Sequence, residues 1–337
     1  MTERTQRPRV AVIGTGGTIT TEGRDSLDLF EYMDFGRRLE IEELLARFPE
    51  VAGAAELLPV RFRSAGSTAI GPEDWLALNE LIHATVSDAG PLDGIVITHG
   101  TATLEETAYF LNLTLKVDIP VVLAGAQRPA NGLSSDAGMN LLNAVRLAAS
   151  PRARGLGVLV LLNDEIQAAR EVTKTSTLRL ETFRAPDLGM LGYVDADGRV
   201  EIYRAPTRRH APDTEFEVRG MASLPRVDIA YSYAGSSGLV IETLAREGAK
   251  AIVCAAMAPG LVTPAELEAQ LMARQMGVVI VQSSRAGSGR VVPRTRLREA
   301  GIVAADNLNP QKARVLAMLA LTRTREPEEV QRMFEVY

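Results

Sequence analysis

Arg9-Val10-Ala11-Val12-Ile13, running into Gly14-Thr15-Gly16-Gly17-Thr18-Ile19, is an apolar β-branched stretch that breaks into a glycine-rich turn. An apolar run without polar alternation suits a strand buried on both faces, as in a parallel sheet. The same type recurs at Gly94 to Thr98, Val121 to Ala124, Gly157 to Leu162, Ala251 to Ala255 and Val278 to Val281. Amphipathic segments lie between these runs, at Trp75 to Val86, Leu104 to Lys116 and Met139 to Leu147. This alternation predicts a doubly wound α/β architecture. Helix starts are readable as well. Thr103 with Glu106 reads as a capping box, Thr263-Pro264 with Glu266 as a cap with proline at the first helical position, and Asn309-Pro310 as another.

The chain has 337 residues, a formal net charge of −5 and 46% hydrophobic content, enough for two domains with their own cores. Arg204 to Leu224 carries two prolines, several charges and little periodicity, and reads as an interdomain linker. The expected division is 1–205, a linker over 206–224, and a smaller α/β domain over 225–337. Mild acidity argues against a nucleic-acid partner, which would leave a basic stripe. One cysteine, Cys254, excludes an internal disulfide and a cysteine zinc site, and its apolar surroundings mark it as a small buried side chain. Met1 to Arg9 has no apolar signal-peptide core, and no window approaches the ~20 apolar residues of a membrane-spanning helix. A cytoplasmic chain without membrane contact is therefore expected.

Three stretches carry the candidate chemistry. In Gly14 to Ile19 the dinucleotide fingerprint would need glycine at Ile19, and a phosphate loop would need a Gly-Lys pair that is missing. A plain tight turn leaves the clustered hydroxyls unexplained. Glycines would let a substrate approach the backbone, and their amides could donate to a developing oxyanion. The second stretch is Thr98-His99-Gly100-Thr101-Ala102-Thr103, at a strand end where a helix begins. Thr101 there is either part of a cap or a group beside the positive helix end. The third is Val172-Thr173-Lys174-Thr175, where Lys174 is either a solvated surface lysine or, once buried, a general base. His83, His99 and His210 lack metal-ligand spacing, so no metal is expected; His99 reads as a satisfied structural group beside the site.

Together and in order, these stretches resemble the bacterial L-asparaginase/glutaminase family. The resemblance extends through Leu104 to Leu111, Gly125-Ala126-Gln127-Arg128-Pro129, Ser134 to Asn140 and Leu308 to Arg314. It implies an N-terminal flavodoxin-like parallel-sheet domain, a smaller C-terminal α/β domain, a homotetramer of intimate dimers, a small amide substrate and no cofactor. It places the nucleophile at Thr18, with Tyr32 in support, and pairs Thr101 with Lys174. It places Ser67 on the substrate carboxylate, with Gly17, Thr68, Gly100 and Ala102 lining the substrate. Attack on the amide carbon by an activated threonine, followed by hydrolysis of the acyl-threonine, is the implied chemistry.

Four positions depart from that pattern. Ala102 stands where the family has aspartate, and Thr68 where it often has glutamine. Val292-Pro293-Arg294-Thr295-Arg296 replaces a glutamate, and Ala258-Pro259-Gly260 an asparagine, both offered by a neighbouring subunit. An unpaired buried ammonium is costly. The changes therefore imply weakened recognition of a free α-ammonium, unless Glu31, Asp34 or an acid in the loop after Ser284 restores it. Half-amides of dicarboxylic acids and N-acylated asparagine or aspartate become alternative substrates. A sensor that kept the pocket without turnover and a nucleotide-binding protein are the readings of other classes.

Overall fold

The computed structural model describes residues 7–337. Most of the N-terminal stretch read for a signal peptide, Met1 to Gln6, lies outside the described residues. Two compact units follow the chain, Met1–Arg219 and Gly220–Tyr337.

The first unit holds an eight-stranded sheet. Its strands are β1 (Arg9–Gly16), β2 (Glu56–Ala65), β3 (Gly94–Thr98), β4 (Val121–Ala124), β5 (Val158–Leu162), β6 (Glu165–Ala168), β7 (Gly192–Val194) and β8 (Val200–Ile202). The spatial order is β8-β7-β6-β5-β4-β3-β1-β2. Strands β2, β1, β3, β4 and β5 run parallel, in the 2-1-3-4-5 order of flavodoxin-like sheets. The antiparallel strands β6 to β8 extend it past β5. The chain order reverses between β1 and β3. That switch point opens a crevice beyond the carboxyl ends of the strands, where ligands of such sheets bind.

The continuous apolar runs behave as expected. Every residue of β3, β4 and β5 is buried. Val10, Val12, Val96, Val122 and Leu159 meet Leu141, Ala144 and Val145 of α3 (Ala137–Ala149) in one core. Each fully buried aliphatic side chain contributes about 1.5–3 kcal/mol. On the chain between β2 and β3 lies α1 (Pro72–Asp88), and α2 (Leu104–Thr114) follows β3. Strand β2 had no sequence expectation. It is an edge strand that alternates exposed and half-buried positions and holds Pro59, a residue confined to sheet edges because it cannot donate to a ladder.

The expected capping box at Thr103 is a correction. Its hydroxyl makes no cap bond; it donates instead to the Ser67 carbonyl at 2.8 Å. Residues 206–219 fold onto the first unit. Ala211 N–H donates to the Asn112 carbonyl, Lys116 Nζ donates to Thr214 Oγ1 at 2.6 Å, and Phe216 and Val218 are buried. The contact boundary at Arg219 thus falls inside the stretch read as linker.

The second unit has a four-stranded parallel sheet, β9 (Val227–Tyr231), β10 (Ala251–Ala256), β11 (Val279–Ser284) and β12 (Val303–Ala304), in that order. Thr263 closes a complete capping box with Glu266, and the Asn309 side chain accepts the Lys312 amide. Cys254 is buried in β10, and burial pushes its thiol up to about 12. Among the described residues no helix is long and apolar enough to cross a membrane.

Candidate active site

Strand β1 ends in two glycines with left-handed backbones, Gly16 at φ 97° and Gly17 at φ 89°. Side chains are excluded here by contact as well as by conformation. A Cβ on Gly16 would stand 2.3 Å from the Ala65 carbonyl oxygen, and one on Gly17 would stand 2.3 Å from Gly100 Cα. A Cβ on Gly100 would in turn stand 2.7 Å from Ser67 Cβ. The end of β1 therefore touches the end of β2 and the turn after β3 backbone to backbone, and Gly100 packs against the Ser67 side chain. Thr18, Ser67 and Thr101 are brought to one place at the switch point.

Hydroxyls abound in these turns, and most are occupied with backbone. Thr15 Oγ1 donates to the Thr98 carbonyl at 2.7 Å. Thr20 and Thr21 both donate to the Gly17 carbonyl, at 3.0 and 2.9 Å. Thr103 holds Ser67 as described. Thr18 and Thr101 differ in that each faces a titratable side chain.

Thr18 Oγ1 lies 3.2 Å from Tyr32 Oη. Tyr32 is buried in the helical turn Tyr32–Phe35, whereas Glu31, Met33, Asp34 and Phe35 beside it are exposed. Burial raises the Tyr32 pKa, the charges of Asp136 and Asp28 raise it further, and the Thr18 hydrogen bond opposes them. Tyr32 is thus a phenol at neutral pH. It can exchange a proton with Thr18 but is not a resting phenolate.

Lys174 Nζ donates to Thr101 Oγ1 at 2.7 Å. A short antiparallel ladder, Thr173–Lys174 against Phe183–Arg184, carries the lysine. Half burial lowers its pKa from the ordinary 10.5, and among the described residues no carboxylate counters the shift. A lysine depressed in this way releases its proton more readily, and its neutral amine can then take the hydrogen of Thr101.

Ser67 Oγ accepts the Ala102 amide at 3.2 Å, which leaves its own hydrogen free for a ligand. Thr68 and Ala102 are exposed at the same rim, and neither carries charge. Arg38 Nη2 reaches within 3.4 Å of the position a Cβ on Gly66 would take, beside Ser67. The two C-terminal stretches expected to face a neighbouring subunit are joined to each other: Arg294 Nη2 donates to the Gly260 carbonyl at 3.0 Å. Of the expected residues, Thr18 meets Tyr32, Thr101 meets Lys174, Ser67 meets Ala102, and Gly100 lies against both Gly17 and Ser67. Thr103 was missed as a support for Ser67, because its sequence context fits a helix cap equally well.

The Asparaginase, N-terminal family matches residues 9–208, and the Glutaminase/Asparaginase C-terminal domain family matches residues 226–334. A glutaminase-asparaginase of Pseudomonas fluorescens biotype A is 41% identical, across 99% of this chain and 92% of that protein. L-asparaginase 2 of Bacillus subtilis is 40% identical, across 99% and 88%. The crystal structure of a probable cytoplasmic L-asparaginase from Campylobacter jejuni superposes with a TM-score of 0.93 at 39% identity, covering 98% of this chain and all of that one. With both family domains matched in order and relatives aligned nearly end to end, the chain belongs to the asparaginase family.

Proposed function

We propose that this chain is an amidohydrolase that releases ammonia from L-asparagine or a closely similar carboxamide through an acyl-enzyme on Thr18. The observation that carries the reading is the meeting of two differently served hydroxyls, Thr18 on Tyr32 and Thr101 on Lys174, around the Gly17–Gly100 contact. Thr18 Oγ1 attacks the amide carbon, and its proton moves toward the neutral amine of the Thr101–Lys174 pair, or to Tyr32 as that phenol passes its own proton on to the leaving nitrogen. The oxyanion is held by backbone amides, each worth roughly 3–4 kcal/mol in comparable sites. The carbon–nitrogen bond breaks, the leaving nitrogen takes a proton, and ammonia departs. Water then cleaves the threonine ester, giving the carboxylate and restoring the hydroxyl. Ser67 serves the substrate carboxylate, and Gly17 and Gly100 admit the substrate close to the backbone.

A second reading concerns the substrate's α-position. Ala102 and Thr68 are neutral, the cation Lys174 stands on Thr101, and the cation Arg38 lies beside Gly66. That setting favours amides without a free ammonium, such as succinamate or N-acetyl-L-asparagine. Ammonia release should be measured on these and on L-asparagine. Turnover of L-asparagine is the expected result, and higher kcat/KM on succinamate would select the second reading. Silence on the whole panel would refute the amidohydrolase and leave a non-catalytic sensor. We further read the chain as cytoplasmic, in line with its Campylobacter neighbour, and as a homotetramer. Cell fractionation tests the first, and sedimentation of a monomer would refute the second.

A further inference from the structure

We infer that Trp75, Thr107 and His99 form a one-way hydrogen-bond chain that positions the Gly100–Thr101 peptide for catalysis, a role that rests on the function proposed above. The chain crosses three elements. Trp75 Nε1–H, on α1, donates to Thr107 Oγ1 on α2 at 3.0 Å. Thr107 Oγ1 lies 2.9 Å from His99 Nε2, just past the end of β3, and His99 Nδ1 lies 2.8 Å from the Gly100 carbonyl.

Every link has a forced direction. A carbonyl only accepts, so Nδ1 carries the imidazole hydrogen. An indole N–H only donates, so Thr107 accepts from Trp75 and passes its own hydrogen to Nε2. His99 is then neutral and fully satisfied, consistent with complete burial. Burial lowers its pKa to about 4, so its protonation does not change near neutrality. Stacking of Trp75 on Phe110, with centroids 5.4 Å apart, steadies the donor end.

The other end reaches the site. In a trans peptide the carbonyl and the next amide hydrogen point opposite ways. Fixing the Gly100 carbonyl therefore fixes the Thr101 N–H as well as the residue that receives Lys174. Gly100 also forms the surface against which Gly17 and Ser67 pack, so rotation of this peptide would displace all three turns. These three side chains touch no reacting atom and are positioning residues.

A built-in control separates positioning from mere stability. Asn79 Nδ2 donates to Thr114 Oγ1 at 3.0 Å, a second buried hydrogen bond between the same two helices, remote from Gly100. Thr107→Val and Thr114→Val should lower the melting temperature similarly. Thr107→Val alone should lower kcat, by about tenfold or more with little change in KM, and Thr107→Ser should restore it. Nitrogen-15 NMR of the wild type should show His99 as the Nδ1–H tautomer, unchanged from about pH 6 to about pH 8. Should Thr107→Val fail to fold, Trp75→Phe, which removes the indole donor together with part of the buried ring, carries the kcat comparison against its own melting temperature. Equal kcat in the two valine variants, or an Nε2–H tautomer, overturns the positioning chain and leaves the amidohydrolase standing. A wild type that releases ammonia from no amide overturns both.

Discussion

Thr18→Ala is expected to abolish turnover, with kcat reduced on the order of 10⁴-fold or more, as when a covalent nucleophile is removed from a comparable set. Thr15, Thr20 and Thr21 cannot substitute, because their hydroxyls are already donated to backbone carbonyls in the same turn. The fold should survive. The substitution removes one half-exposed hydroxyl and its 3.2 Å contact with Tyr32, a loss of about 1 kcal/mol, while the Gly16–Gly17 turn stays intact. Mass spectrometry after mixing with substrate should show an acyl adduct on the wild type and none on the variant. Undiminished kcat in Thr18→Ala would transfer the nucleophile to Thr101, whose hydroxyl is served by Lys174.

The parallel core was legible because burial on both faces demands uninterrupted apolar residues, and β3, β4 and β5 meet that demand over their full length. Strand β2 escaped because an edge strand faces solvent and lacks that pattern. Strands β6 to β8 are three or four residues long, too short for a period to register. Thr18 and Thr101 drew attention as hydroxyls at strand ends and Lys174 as a lysine among hydroxyls, but each kept a structural alternative until the ordered motifs resembled a known family. Which of many threonines face chemistry was not, because hydrogen-bond partners such as Thr98 O for Thr15 and Ser67 O for Thr103 lie far away in sequence. The same limit hid the link between His99 and Trp75. The latter sits 32 residues before Thr107, and only the packing of α1 on α2 joins them. Residues 206–219 read as linker because prolines and charges mark irregular backbone. Irregular backbone can still pack, here through Lys116 and the buried Phe216.

Lys174→Met should separate the chemistry of this site from its stability. The substitution keeps an unbranched side chain of similar length and removes the amine, so Thr101 loses its proton partner. Loss of a positioned acid–base group of this kind lowers kcat by roughly 10²–10⁴-fold. The pH profile supplies a second signature. The neutral amine is the competent form, so wild-type activity should rise with pH along a limb centred below 10.5, and the variant should lack that limb. Stability should move the other way. Burial lowers the pKa of Lys174 in the folded state, so between the folded and unfolded values the unfolded chain binds more protons. Below the folded value the buried ammonium weakens the fold in full, and the deficit is relieved as pH climbs through the window. At neutral pH the methionine variant should therefore melt no lower than the wild type, and any advantage should shrink in alkaline buffer. A variant that melts markedly lower at pH 7 would identify Lys174 as a structural anchor for Thr101. Full activity in the variant would place proton transfer on Tyr32 alone.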